Sequence, residues 1–286
     1  MKFGIIPINI GITGLEQALD IARLAETSGI ESVWTAEHVI MPTRIDSRYP
    51  YSDSGEMPMD QTITFYDPLI TLSAIAAATT TLKLGTGINI LPQTNPLLLA
   101  KQTASLDSFS QGRLLLGLGL GWMREEFHAM GTPFENRGAR FDDYLQAIRK
   151  VWSGDVVDHQ SRFLDWQGFR SLPAPVNKSR LPVLIGGHSE KSFLRVARYA
   201  DGWYPAVYSA RELAPLLDKL RGACTEVGRN YEDIEITAVW ANTGGLDELR
   251  RFQDLGVSRL TVPLSSLKAD PLDAVKHLAG DIMAKL

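Results

Sequence analysis

Cysteine, histidine and clustered basic residues are scarce in this sequence of 286 residues. Cys224 is the only cysteine, which excludes an internal disulfide and a metal site built from several cysteines. The five histidines show no pair at metal-ligand spacing, so we expect no metal site. Lysine and arginine form no cluster, and the net charge is −4. A nucleic-acid partner is not expected, because such a partner requires a basic patch or stripe.

Long apolar runs are also absent. The longest run, at 114–122, is interrupted by three glycines and falls short of the ~18 residues that a membrane span needs. The first residues, MKFGIIP, are typical of a β-strand, and no cleavage site for a signal peptide follows them. We therefore expect no membrane partner and a cytoplasmic location.

What the sequence does contain is an eightfold alternation of short apolar runs and helical patterns. The predicted strands are 3–8, 32–36, 83–91, 114–120, 182–185, 202–205, 234–239 and 259–263. The predicted helices are 15–28, 67–79, 96–109, 138–152, 189–200, 210–227, 246–255 and a last helix from 270 onwards. Eight such units favour an α/β fold of the (β/α)8 TIM-barrel type over an open doubly wound sheet, which usually has fewer units.

We predict a single domain over 1–286 with two insertions, at about 41–64 and 155–180. The first insertion is too long for a connector and is interpreted as a lid or an active-site loop. The second contains short extended pieces and is interpreted as a small surface hairpin. In a barrel, the active site lies at the carboxyl ends of the strands, so polar residues there are the candidates.

The second strand ends in Glu37 and His38, a carboxylate and an imidazole that can exchange protons; a purely structural hydrogen-bonded pair is the alternative. The third predicted strand contains the candidates Thr86, Gly87, Ile88 and Asn89. Glycine inside a strand marks a bulge or the close approach of another group. We expect a large flat group here; tight packing in the barrel is the alternative.

The fourth strand alternates glycine with leucine and leads to the candidates Gly119, Gly121 and Trp122. Alternating glycines leave one face of a strand without side chains, so we expect an open slot there. The spacing G-x-G-x-G inside a strand differs from the dinucleotide-binding motif, which makes that match weak.

The fifth strand ends in the candidates Gly186, Gly187, His188 and Ser189, directly before a helix. Glycines, a hydroxyl and the free N–H groups of a helix start favour a phosphate-binding loop. An ordinary turn capped by Ser189 is the alternative. The sequence offers no G-x-S-x-G elbow. We therefore expect a flat, phosphorylated cofactor to supply the chemistry.

Several motifs together resemble the bacterial luciferase-like family of flavin- and deazaflavin-dependent oxidoreductases, and most of all its coenzyme F420-dependent branch. The motifs are WTAEH at 34–38, LGTG at 84–87, NP at 95–96 with AK at 100–101, LDSFSQGR at 106–113, GLGLGW at 117–122 with EEF at 125–127, RGAR at 137–140, GG at 186–187 and ADGW at 200–203. They follow in order over nearly the whole chain.

The resemblance implies a TIM barrel with a tricyclic ring at the strand ends and hydride transfer at C5 or N5 of that ring. It places a non-proline cis peptide near Gly87-Ile88 and the cofactor phosphate near Gly186 and Gly187. It also implies that His38 lies near ring and substrate. The FMN-dependent branch shares most of these motifs, and homodimers are common in the family.

Two departures from the family's sugar-phosphate dehydrogenases argue against that activity. Those enzymes typically have Asp where Glu37 stands and Glu where Trp122 stands. Trp122 makes the mouth more apolar and favours a hydrophobic or aromatic substrate. We predict an F420-dependent oxidoreductase acting on a small organic molecule, with His38 at the reacting centre and Glu37 tuning or orienting it. An FMN-dependent monooxygenase and a non-catalytic flavin carrier are the alternatives.

Overall fold

A computed structural model of the chain describes residues 1–57, 59–268 and 270–286. In this part of the chain eight parallel strands close into a barrel, and a helix follows each strand. The barrel strands are β1 (Lys2–Ile6), β2 (Ser32–Thr35), β3 (Lys83–Thr86), β4 (Leu114–Gly119), β5 (Val183–Gly186), β6 (Gly202–Tyr204), β7 (Glu235–Val239) and β8 (Arg259–Pro263). The helices around the barrel are α1 (Leu15–Thr27), α2 (Pro68–Ala78), α3 (Pro96–Phe109), α4 (Arg137–Trp152), α5 (Glu190–Tyr199), α6 (Ala210–Val227), α7 (Gly245–Asp254) and α8 (Pro271–His277).

Neighbouring strands pair in chain order, and β8 pairs with β1 to close the ring. The register places Gly4 beside Ser32 and Trp34 beside Gly85. The predicted (β/α)8 barrel is therefore confirmed. Among the described helices, none combines the length and the apolar character that crossing a membrane requires.

Helix starts follow the signals that the sequence carries. Asp67 and Asn95 each precede a proline, and their side chains accept hydrogen bonds from backbone amides of the first turns of α2 and α3. Proline suits the first position of a helix because the amide hydrogen it lacks would have no intrahelical partner there. These caps fix the ends of the loops that run from the barrel mouth to α2 and α3.

The third predicted strand is interrupted in the structure. β3 ends at Thr86, the Gly87–Ile88 peptide bond is cis, and Asn89–Ile90 resumes as a short strand paired with β4. The continuous strand predicted over 83–91 is wrong in this detail, whereas the bulge implied by the family resemblance is confirmed. The interruption brings Gly87 and Ile88 to the mouth of the barrel.

Two further elements lie outside the barrel. Arg124–Ala129, here called the rim helix, follows β4 and was not predicted, because six residues are too few to show helical periodicity. The predicted surface hairpin in 155–180 is confirmed, since Val157–Gln160 pairs antiparallel with Asp165–Phe169.

The interior of the barrel is filled below the mouth. Trp34 is completely buried there, and its Nε1 donates to Ser32 Oγ at 2.8 Å. At the amino-terminal end, buried Arg259 forms ion pairs with Glu31, at 2.7 Å, and with Glu235. This end is packed with side chains, which leaves the opposite end for a binding site.

Candidate active site at the carboxyl ends of the strands

A cavity of about 890 Å³ lies at the carboxyl ends of the barrel strands. Backbone and small residues of four strand ends line its lower part, with Ile6, Gly87, Gly119 and Gly186 among them. A cavity of this size falls in the range that holds a cofactor or a drug-sized ligand. Its position agrees with the general location of active sites in TIM barrels.

The long loop between β2 and α2, described over residues 36–57 and 59–67, contributes several residues to the wall of this cavity. Tyr49 and Tyr51 line the cavity; the Tyr49 ring lies 5.1 Å from the Trp122 ring, and the Tyr51 ring lies 5.7 Å from the His188 ring. Phe65 and two methionines of the loop add apolar surface. The loop therefore occupies the place of the predicted lid or active-site loop; Pro58, within the predicted insertion, lies outside the described residues.

His38 lies in the cavity wall and is held from two directions. Its Nδ1 lies 2.8 Å from Glu126 Oε2, and its side chain is 11% exposed. Phe65 and Trp122 contact the imidazole edge to face, with ring centroids 5.9 and 6.1 Å away. The sequence predicted the position of His38 at the mouth, and the structure places it there.

Glu37 faces a different group from the one expected. Its carboxylate accepts hydrogen bonds from Asn89 Nδ2, at 2.9 Å, and from the Ile90 amide. Burial raises the pKa of Glu37 to about 7, helped by the charges of Glu126 and Asp67 and opposed by those two hydrogen bonds. The hydrogen-bonding partner of the imidazole is Glu126 and not Glu37, and a role for Glu37 in tuning the reacting centre stays a prediction.

Glu126 was not among the predicted site residues. It lies in the first turn of the rim helix, is 1% exposed, and accepts from the Val39 amide at 2.6 Å through its other oxygen. The neighbouring Glu125 accepts from the Asp46 and Ser47 amides at 2.8 and 2.9 Å. Two consecutive carboxylates a few residues after the fourth strand, in the EEF motif at 125–127, are the sequence signal for this pair.

The third-strand candidates separate into two groups. Gly87 and Ile88 line the cavity. Thr86 is completely buried, and its Oγ1 donates to the Gly117 carbonyl oxygen and accepts from the Gly117 amide, at 2.8 and 2.9 Å. Asn89 is buried and donates to Glu37. The side chains of Thr86 and Asn89 bond within the barrel wall, and cofactor binding by these two residues stays a prediction.

The fourth-strand glycines serve a purpose other than the expected one. A side chain at Gly117 would collide with the Thr86 carbonyl, and one at Gly119 would collide with Ile88. The prediction of an open slot is therefore wrong, because Thr86 and Ile88 of the interrupted third strand occupy the face of β4 that its glycines leave without side chains. Gly119, Gly121 and Trp122 nevertheless line the cavity above it.

The loop after β5 borders the cavity where α5 begins. Gly186, Gly187, His188 and Ser189 all line it. Ser189 caps α5 by accepting from the Ser192 amide at 3.2 Å, so the capped turn considered as an alternative is present. Among the described residues, the buried His188 Nδ1 has no hydrogen-bond partner. Phosphate binding by this loop stays a prediction.

The described residues include no group of three or more His, Cys, Asp or Glu side chains that could hold a metal ion. The fold and the cavity together define a TIM-barrel protein with a cofactor-sized site at its mouth. Residues 6–240 match the family described as luciferase-like monooxygenase. The chain belongs to this family.

Comparisons with known proteins agree with this assignment. The uncharacterized protein Rv0953c of Mycobacterium tuberculosis is 30% identical over 266 residues, covering 91% of this chain and 92% of that protein. The FMNH(2)-dependent dimethylsulfone monooxygenase of Pseudomonas putida is 25% identical over 212 residues, covering 73% and 53%. A solved structure of an F420-dependent secondary alcohol dehydrogenase with an F420-acetone adduct superposes with a TM-score of 0.79 at 16% identity, covering 99% and 98% of the chains. This last likeness shows the shared fold.

Proposed function

We propose that the protein is an F420-dependent oxidoreductase that transfers a hydride between the deazaflavin and a small organic substrate. One observation carries the proposal: the cavity at the strand ends brings the interruption of the third strand at Gly87 and Ile88 together with an imidazole held by a buried carboxylate. Similarity in fold to an F420-dependent alcohol dehydrogenase supports the choice of cofactor. The cofactor, when bound, supplies the site that gives or receives the hydride.

The residues present fit a planar cofactor with an acidic tail. The cavity is large enough for a planar cofactor, and Gly87, Ile88 and Gly121 at the strand ends line it. Gly187 and Ser189 would hold a phosphate together with the first amides of α5, which have no intrahelical partners. Arg137 also lines the cavity and adds positive charge.

The chain's own contribution is proton transfer and the exclusion of water. His38 would exchange a proton with a hydroxyl or carbonyl oxygen of the substrate, because its imidazole lines the cavity. The rings of Tyr49, Trp122 and Phe65 surround this position and limit the access of water. These rings favour a small hydrophobic or aromatic substrate, consistent with the sequence prediction.

Cofactor titration tests the proposal directly. Purified apo protein is titrated with F420 and, separately, with FMN, and binding is followed by cofactor fluorescence. We expect saturable F420 binding and weaker FMN binding. If neither cofactor binds below about 1 mM, an affinity of only about −4 kcal/mol, the proposal is overturned.

The His38→Ala variant separates an enzyme from a carrier. We expect the variant to retain F420 binding and to lose at least about 100-fold in turnover, because general acid–base catalysis contributes on this scale. Turnover at the wild-type rate in the variant would contradict the role of His38. Absence of turnover in the wild type with every alcohol and carbonyl compound tried would favour the non-catalytic carrier.

An FMN-dependent monooxygenase is the second candidate, favoured by the similarity to the FMNH(2)-dependent dimethylsulfone monooxygenase. Its test is oxygen uptake that depends on reduced FMN. A protein that purifies yellow and consumes oxygen with reduced FMN, while F420 fails to bind, would replace the first proposal.

A further inference from the structure

The carboxylate of Glu126 is fixed by two hydrogen-bonding partners at once. Oε1 accepts from the Val39 amide at 2.6 Å, and Oε2 lies 2.8 Å from Nδ1 of His38. With 1% of Glu126 exposed, water offers this carboxylate little competition. From these contacts we infer that Glu126 is a positioning residue that holds His38 in the tautomer protonated on Nδ1.

The chemistry of the two groups determines the tautomer. An ionised carboxylate only accepts hydrogen bonds, so the short contact with Oε2 requires a hydrogen on Nδ1. A neutral imidazole then carries no hydrogen on Nε2. Among the described residues, Nε2 of His38 has no hydrogen-bond partner, and the ring lines the cavity. Neutral His38 therefore presents a proton acceptor to the substrate, and the imidazolium form presents a donor.

The adjacent Glu125 offers a matched comparison. It occupies the same helix turn and also accepts from backbone amides of the β2–α2 loop, at Asp46 and Ser47. Its hydrogen bonds involve no atom of His38. Both glutamates therefore hold the β2–α2 loop, but only Glu126 can control the tautomer of His38.

NMR of the intact apo chain with 13C,15N-labelled histidine tests the tautomer without any cofactor. The His38 signals are identified by their loss in His38→Gln. At about pH 9, above the ordinary pKa of histidine, we expect nitrogen shifts of the Nδ1-protonated tautomer in the wild type. Shifts of the Nε2-protonated tautomer would overturn the inference. This measurement needs no variant of Glu126 to fold.

The Glu126→Gln variant tests the cause. Glutamine replaces one acceptor oxygen with an NH2 group, so it cannot accept from both the Val39 amide and His38. We expect the Nδ1-protonated signal of His38 to lose its predominance in Glu126→Gln and to persist in Glu125→Gln. Unchanged His38 signals in a folded Glu126→Gln protein would also overturn the inference.

The catalytic consequence rests on the proposed function. In Glu126→Gln we expect kcat to fall at least about 10-fold with little change in KM, because the substrate loses a correctly protonated partner. In Glu125→Gln we expect KM to change more than kcat, since only the loop is affected. A wild type with the Nδ1 tautomer but without hydride transfer would refute the proposed function and leave the tautomer inference standing.

Discussion

At the scale of single residues, Glu37 shows how burial changes the chemistry of a common side chain. Its pKa lies at about 7, raised from 4.5 chiefly by desolvation. The folded protein therefore binds this proton more tightly than the unfolded chain does. The stabilising contribution is present in full below about pH 4.5 and is lost as the pH rises through about 7.

The Glu37→Gln variant should remove this pH dependence. Between about pH 5 and pH 8 the wild type should lose about 3 kcal/mol of unfolding free energy relative to the variant. Glutamine fits because Asn89 Oδ1, buried without a partner among the described residues, can accept its amide hydrogen once the Asn89 amide flips. Urea unfolding at several pH values measures the difference, with Glu16→Gln on the exposed face of α1 as the control. Parallel pH profiles of wild type and Glu37→Gln would contradict the raised pKa.

The sequence correctly predicted which residues lie at the mouth wherever the position in a strand alone determines this location. His38, Gly87 and Gly186 lie at the mouth because each follows or ends a barrel strand. The side chains of Thr86 and Asn89 bond within the barrel wall, and their direction depends on the interruption between β3 and the short strand Asn89–Ile90, which strand position alone does not reveal. The link between His38 and Glu126 joins positions 88 residues apart, and periodicity gives no information on such a contact.

At the scale of elements, glycine in one barrel strand makes room for a large side chain of the neighbouring strand. A side chain at Gly85 of β3 would collide with the Trp34 ring of β2, which is completely buried. Gly222 in α6 has open space around the same position. The two glycines therefore give a matched pair for testing how tightly the barrel interior is packed.

We predict opposite effects for alanine at these two positions. Gly85→Ala should lower the unfolding free energy by about 1–3 kcal/mol, because the Trp34 indole has no room to move. Gly222→Ala should raise it by up to about 1 kcal/mol, because alanine is the better helix former. Both values follow from urea unfolding curves monitored by circular dichroism. Equal stability of wild type and Gly85→Ala would mean that the interior repacks freely.

Element prediction was reliable for long periodic segments and weak for short ones. Five of the eight helices around the barrel begin with a side-chain cap that the sequence displays, as Asp67 and Asn95 do for α2 and α3. The rim helix carries Glu125 and Glu126, yet its six residues complete fewer than two turns. The sequence therefore displays the two glutamates but not the helix that places Glu126 beside His38.

At the scale of the whole molecule, α2 and α3 expose apolar side chains side by side. Ile70 is 73% exposed and Leu98 is 54% exposed, whereas Leu72 and Ile75 of α2 are buried against the barrel. Scattered exposed leucines are ordinary, but neighbouring ones on two packed helices favour an interface. On these side chains we propose a homodimer, which the family resemblance led us to expect.

Sedimentation equilibrium tests the dimer. We predict a mass of twice 31.6 kDa for the wild type and a monomer for the double variant Ile70→Asp, Leu98→Asp. Unchanged circular dichroism of the variant serves as the check on folding, since both side chains lie outside the core. A wild type that sediments as a monomer at tens of micromolar would refute the proposal.

The ion cluster of Arg259, Glu31 and Glu235 lies at the end of the barrel opposite His38. The ion pairs that stabilise the fold and the residues that line the cavity therefore lie at opposite ends of the barrel. Substitutions in the loops around the mouth can change the substrate, in nature or by design, because the ion pairs at the other end still stabilise the barrel. Among proteins that diverge from this chain in specificity, substitutions should therefore accumulate around the mouth and be rare around Arg259.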